Sequence, residues 1–496
     1  MVTFGSLFQA LEVVFSWPTL GWLLIGTIIG IVIGAIPGLG PNLGMAVLLP
    51  LTFRLNGIDA IIFLICIYLG SVYGGSVPAI LVNTPGTAGA AATTLDGYPM
   101  ARLGRAKEAL VVSATSSAIG GILAGITIIL ISPLLVAVVL LFGSPEYFLV
   151  ALFGLSLIAV VSKGSMVKGL TVGAFGLLIS TVGYPIATGS PRYTLGIIEL
   201  YDGISFVAVL IGVFAVGEMI KLSAEEGSIA RENFDLGGPI MPGFRIVLSN
   251  TRTLLKSSFI GGIVGAIPGS GASISNFVAY VEALRSDEDS ESYGEGNPRG
   301  VMASEGANNA TVFGALIPTL SFGIPGSGST AILLGGLLMH GIRPGPALFA
   351  ENLYITHSIF IGLLVASVFI LLVGLAFLPR LVYFTKIDTN YLIPIVLTLS
   401  IVGAIGLRNN WIDVLTVIVF GIVGFYMREF DFPIIAFVLG VVLGPIAEEN
   451  LVRSLQISGG SLDIFWSSPL SILLILLTVA SILSPAFQQS RGDATD

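Results

Sequence analysis

The sequence predicts an all-α polytopic membrane protein of about 10–12 transmembrane helices, with two inverted repeats that contain Pro-Gly-broken or re-entrant segments. Three observations carry this. Of 496 residues, 54% are hydrophobic and 10% charged, where soluble domains carry about 25% charged residues. Runs such as 206–220 and 470–483 are nearly free of charge and approach the roughly 17–25 residues that a spanning helix needs. And Gly34-Ala35-Ile36-Pro37-Gly38-Leu39-Gly40-Pro41-Asn42 returns as Gly265-Ala266-Ile267-Pro268-Gly269-Ser270-Gly271-Ala272-Ser273, with GAIPG and the next-but-one glycine unchanged.

A second pair of matches supports the duplication. Tyr73-Gly74-Gly75-Ser76-Val77-Pro78, continuing to Thr84-Pro85-Gly86-Thr87, aligns without a gap on Phe313-Gly314-Ala315-Leu316-Ile317-Pro318, continuing to Ile324-Pro325-Gly326-Ser327. The offset is 231 for the first pair (265 minus 34) and 240 for the second (313 minus 73), so the second copy has gained nine residues between its motifs. The polar stretch 286–292 is the obvious insertion.

In chain order, residues 1–19 read as an N-terminal interfacial segment and 20–107 as repeat 1. Residues 108–256 are linking transmembrane helices and a cytoplasmic loop, 257–345 repeat 2, 346–487 further spans, and 488–496 a polar tail. Residues 1–53 hold neither Lys nor Arg, so the positive start of a signal peptide is lacking. Basic clusters at Arg102, Arg105 and Lys107, at Lys163 and Lys168, and from Lys221 to Lys256 mark cytoplasmic loops. The even number of apolar runs between them agrees. Repeat 1 then runs out to in and repeat 2 in to out, an inverted pair. Cys66 is the single cysteine, so the chain has no internal disulfide and no Cys-based metal site.

Breaking a helix inside hydrocarbon is costly, because every backbone N–H and C=O there needs a partner. Paired breaks at corresponding points of two repeats therefore point to a transporter's binding site. The candidate residues for substrate or ion are Pro37, Gly38, Gly40, Asn42, Ser76, Asn83, Thr84, Pro85, Gly86 and Thr87 in repeat 1. In repeat 2 they are Pro268, Gly269, Ser270, Gly271, Ser273, Asn276, Glu305, Asn308, Asn309, Pro325, Gly326 and Ser327. Tyr73, Ser275, Ser321, Ser329 and Thr330 lie in the same clusters. Half-helix starts favour an anion, while half-helix ends offer carbonyls that, with hydroxyls, suit Na⁺ near Gly38, Gly269 and Gly326. The plainer readings are close packing for the glycines, interhelical hydrogen bonding for Asn and Ser, and capping of a segment start in a polar loop for Glu305. Two isolated histidines, one cysteine and no Gly-Lys-Ser/Thr nucleotide signature argue against an enzyme. No catalytic residue, cofactor or nucleic-acid partner is expected.

These same motifs, together with Asp96-Gly97-Tyr98-Pro99 and Phe322-Gly323-Ile324-Pro325-Gly326-Ser327, closely resemble the large membrane subunit (TctA) of the tripartite tricarboxylate transporter family, from about Leu20 to about Pro445. The resemblance implies a multi-pass permease of the bacterial inner membrane. It also implies two partners, a periplasmic solute-binding protein (TctC-type) and a small four-helix membrane subunit (TctB-type). The implied activity is import of citrate-like carboxylates by symport with Na⁺ or H⁺, by alternating access. The alternatives are a non-transporting scaffold subunit and a permease for a different small organic anion.

Overall fold

The computed structural model describes residues 2–161, 166–185, 189–224, 239–269, 271–384 and 391–492. It is all-helical; among the described residues the β pairing is one isolated bridge between Gly183 and Arg192. Among the described residues seven helices are long and apolar enough to cross a membrane, and six shorter apolar helices accompany them. The chain is a membrane protein.

The first part of the chain folds as α1 (Val2–Val14), α2 (Trp17–Ala35), α3 (Pro41–Leu48), α4 (Gly57–Gly74), α5 (Ser76–Val82), α6 (Thr94–Met100) and α7 (Ala106–Val139). Then come α8 (Ser144–Val161), α9 (Met166–Ser180), α10 (Phe206–Leu210) and α11 (Gly217–Ala224). The second copy of the motifs occupies α12 (Met241–Ser249), α13 (Thr251–Gly265), α14 (Gly271–Ser286), α15 (Pro298–Phe322) and α16 (Gly328–Met339). The remainder is α17 (Pro346–Ala350), α18 (Leu353–Ala376), α19 (Leu378–Phe384), α20 (Leu392–Arg408), α21 (Trp411–Glu429), α22 (Ile434–Ile457) and α23 (Pro469–Gly492).

The two copies of the motifs build the same helix crossing. In the first, α2 crosses α4 with no room for a side chain: a Cβ on Gly30 would sit 2.6 Å from the Ile67 carbonyl oxygen, and one on Gly34 would run into that of Ser71. In the second, α13 crosses α15 in the same way, Gly261 against the Ala307 carbonyl and Gly265 against that of Thr311. The contacts correspond at the 231 and 240 offsets of the sequence match. Small residues one turn apart let two backbones touch, which is how helices associate in lipid.

The breaks correspond too. Helices α2 and α13 stop at Ala35 and Gly265; Gly38 and Gly269 then take φ of 83° and 80°, a left-handed conformation open to glycine at little cost. The chain re-enters a helix at Pro41 in the first copy, where a proline in the first turn forfeits no hydrogen bond, and at Gly271 in the second. At the second break, α5 and α15 end on left-handed caps, Asn83 (φ 55°) and Gly323 (φ 68°). The following N–H groups of Thr84 and Ile324 return to the carbonyls of Pro78 and Pro318, at 3.4 and 3.3 Å.

Candidate functional site

The four breaks meet crosswise between the copies. Ser329 Oγ, in the first turn of α16, donates a 2.6 Å hydrogen bond to Asn42 Oδ1 at the start of α3. Nearby, Tyr68 and Ser327 share a hydroxyl contact of 3.3 Å. On the other side Asn276 Nδ2, in the second turn of α14, donates to the Gly89 carbonyl. Gly89 is the counterpart of Ser329 at the 240 offset, and Asn276 lies three residues beyond Ser273, the counterpart of Asn42. So the half-helix after the first break of each copy touches the segment after the second break of the other. The local start of α16 is closed by a reciprocal cap, in which Thr330 N donates to Ser327 Oγ and Ser327 N to Thr330 Oγ1.

A second polar cluster lies on α15. Glu305, fully buried, accepts Thr93 Oγ1 at 2.5 Å on one carboxylate oxygen and Ser117 Oγ at 2.8 Å on the other. Ser113 and Asn308 face the same carboxyl. Beside them Ser76 Oγ donates to the Tyr73 carbonyl at 2.6 Å and meets Ser113 Oγ at 2.8 Å, while Asn308 Nδ2 reaches the Val72 carbonyl at 3.4 Å. Several buried polar atoms have no hydrogen-bond partner: both amide atoms of Asn309, Asn308 Oδ1, Ser116 Oγ, Thr115 Oγ1, Thr87 Oγ1, Tyr73 Oη and Ser321 Oγ. Proteins leave few such atoms, and each asks for an explanation. Of these, Asn308 and Tyr73 lie near the Glu305 carboxyl, and Thr87 lies against Gly75.

Not all of the expected residues converge. Gly38 and Asn83 are exposed, and Gly40, Thr84, Pro85, Pro268, Gly269 and Gly271 are half-buried. Pro37, Ser76, Gly86, Thr87, Asn276, Asn308, Asn309, Pro325 and Gly326 are buried, with Asn42 and Ser327 partly so. Ser270 and the side chain of Ser273 lie outside the described part of the structure. Gly34 and Gly265, which open the repeated motif, serve helix contact. The loop-cap reading of Glu305 is overturned: it lies seven residues inside α15, on a turn with no solvent exposure.

Three partners of the site were not singled out from sequence: Thr93, Ser113 and Ser117. The run Ser113-Ala114-Thr115-Ser116-Ser117 is dense in hydroxyls for a lipid-facing helix, and that density was the available signal. Asp96 was also given no role. Its Oδ1 accepts the N–H groups of Gly294, Gly296 and Asn297, at 2.8, 3.0 and 2.8 Å, and so fastens the inserted loop to α6.

Two cavities open elsewhere. One of about 860 Å³ is lined by Arg105, Asp287, Asp289, Glu295 and Arg299; another of about 610 Å³ lies between α13 and α14, at Phe259, Ile260, Phe277 and Glu282. Neither is lined by the break residues. At the loop, burial opposes ionisation of Asp287, but hydrogen bonds from Arg299, the Asp289 N–H and Tyr293 outweigh it and hold the carboxyl below its usual range.

The sequence matches the tripartite tricarboxylate transporter TctA family over residues 20–439. It is 32% identical over 486 residues, covering 95% of this chain and 94% of the relative, to a protein of Agrobacterium vitis named "uncharacterized 52.8 kDa protein in TAR-I ttuC' 3'region". A second protein of that organism, "uncharacterized protein in TAR-II ttuC' 3'region", is 28% identical over 234 residues, 47% of this chain and 97% of the relative. No solved structure matches.

Proposed function

The chain belongs to the tripartite tricarboxylate transporter TctA family, and we propose that it is the large permease subunit of a binding-protein-dependent secondary transporter importing citrate-like carboxylates. The observation that carries this reading is the crosswise meeting of the breaks, Ser329 with Asn42 and Asn276 with Gly89. Irregular backbone deep in a membrane protein is tolerated where protein or an aqueous cavity surrounds it, and here each copy carries two breaks that meet the other copy's.

In this account the two copies are inverted repeats, related by a pseudo-two-fold axis in the membrane plane. A periplasmic solute-binding protein delivers the carboxylate at the outer face of the inner membrane, and a small second membrane subunit completes the assembly. Helix starts at Pro41 and Gly271 hold the anion, with Asn42, Ser327 and Asn276 as neutral partners. Movement of the break-bearing segments against the rest then exposes the site inward. An anion entering a negative interior is opposed by about 2.3 kcal/mol per charge per 100 mV, so a dicarboxylate or tricarboxylate requires co-transported cations, Na⁺ or H⁺.

The test is substitution at the breaks. G269L and G271L place a Cβ and more on glycines with φ of 80° and 64°. Transport predicts that uptake falls at least tenfold while the protein is still made and inserted; a scaffold predicts unchanged uptake.

A further inference from the structure

Glu305 is a buried carboxylate with no countercharge among the described residues. It is a partner in none of the described ion pairs, and the groups that reach it are neutral: the hydroxyls of Thr93 and Ser117, with Ser113 and Asn308 beside them. An isolated charge taken out of water costs far more than two hydroxyl hydrogen bonds return. A carboxyl in that setting holds either a proton or a bound cation.

The surroundings also specify what kind. The donor set consists of oxygens: two of the carboxylate, Thr93 Oγ1, Ser117 Oγ, and the amide oxygen of Asn308, which has no hydrogen-bond partner. Asn309, one turn along the helix from Glu305, adds a second unpartnered amide, and lies over Gly121, one turn along α7 from Ser117. Oxygen donors of this kind select hard cations over soft ones. A proton on Glu305 would satisfy one of the two amide oxygens, Asn308 or Asn309, and leave the other alone. A small monovalent cation would draw on several at once. A divalent one would ordinarily recruit more than a single carboxylate, and no group of three acidic or His/Cys side chains occurs among the described residues.

We propose that Glu305, with Thr93 and Ser117, forms the binding site of the coupling cation, that this cation is Na⁺, and that the site is separate from the Pro-Gly breaks. The proposal rests on the transporter reading for the word coupling alone; the binding of Na⁺ stands or falls without it. The site joins both copies, since Thr93 follows the second break of the first copy and Glu305 belongs to α15 of the second. Filling it ties α6 and α7 to α15 and removes a bare charge before the loaded site moves.

The experiment is equilibrium binding of ²²Na⁺ to the full-length chain purified in detergent. Wild type binds Na⁺ saturably and in competition with protons, and E305Q weakens that binding at least tenfold. E305Q that keeps the wild-type elution volume and thermal transition makes the loss specific; if it does not fold, the double variant T93A/S117A, which keeps the charge, is expected to weaken binding by a smaller but measurable factor. Absence of saturable Na⁺ binding to folded wild type overturns the proposal, as does wild-type affinity in folded E305Q, or in the double variant where E305Q does not fold. Failure of the transporter reading looks different: wild type that binds Na⁺ but accumulates no carboxylate.

Discussion

Ser329 and Asn42, 287 positions apart in the chain, are joined by a 2.6 Å hydrogen bond between the first turns of two half-helices that belong to different copies of the repeat. The contact is the shortest statement of how the molecule is put together. Each copy is incomplete at its breaks and is finished by the other.

That bond predicts a measurable coupling. Asn42→Ala leaves the buried Ser329 hydroxyl without its acceptor, a loss of about 1–3 kcal/mol. In a double-mutant cycle with Ser329→Ala, thermal unfolding in detergent is expected to show the two changes to be less than additive by about 0.5–1.5 kcal/mol. Full additivity would mean that the bond contributes nothing.

A contrast within α13 tests the close crossing. A Cβ on Gly261 would collide with the Ala307 backbone, whereas one on Gly262 meets nothing within 4 Å. Gly261→Ala is expected to destabilise by about 1–3 kcal/mol through overpacking. Gly262→Ala is expected to be neutral, or to stabilise by up to about 1 kcal/mol from helix propensity. Equal melting temperatures for the two variants would refute the crossing geometry.

The Asp96 anchor predicts a local effect. Asp96→Ala removes the acceptor of three backbone N–H groups and is expected to speed amide exchange and proteolysis in 287–297 at least tenfold, whereas Asp96→Asn, which keeps one acceptor oxygen, does so less. Unchanged exchange at Gly294, Gly296 and Asn297 would show that the loop is held by other contacts.

Asp287 gives the same loop a pH dependence. Its carboxyl is held below its usual range in the folded protein, so it contributes stability that is present above the unfolded value of about 4 and is lost as pH falls through the folded value. Exchange protection of 287–297 should therefore drop on acidification below about pH 4, and Asp287→Asn should flatten that drop. A rise in protection on acidification would reverse the sign.

The repeat, its two offsets and the position of its breaks could be read in the sequence because the same backbone problem was solved twice with the same residues: glycine where φ is positive, proline after the turn, glycine where helices touch. Contacts between copies could not, since Asn42–Ser329 and Asn276–Gly89 join segments with no pattern in common. Glu305 was misplaced for a physical reason. Ser304-Glu305-Gly306-Ala307-Asn308-Asn309 has the composition of a solvated loop, yet it is a buried stretch of helix whose carboxyl is met by the hydroxyls of Thr93 and Ser117. The count of spans was likewise blurred, because apolar helices such as α16 and α20 are too short to meet the length by which the seven long ones are recognised.

The most direct measurement of the central claim is uptake of radiolabelled citrate and a panel of small dicarboxylates into proteoliposomes holding this chain with its small membrane subunit and its solute-binding protein, with and without an inward Na⁺ gradient. The account predicts accumulation against a gradient that requires both the binding protein and Na⁺. Folded protein that accumulates no carboxylate under either a Na⁺ or a proton gradient would contradict it.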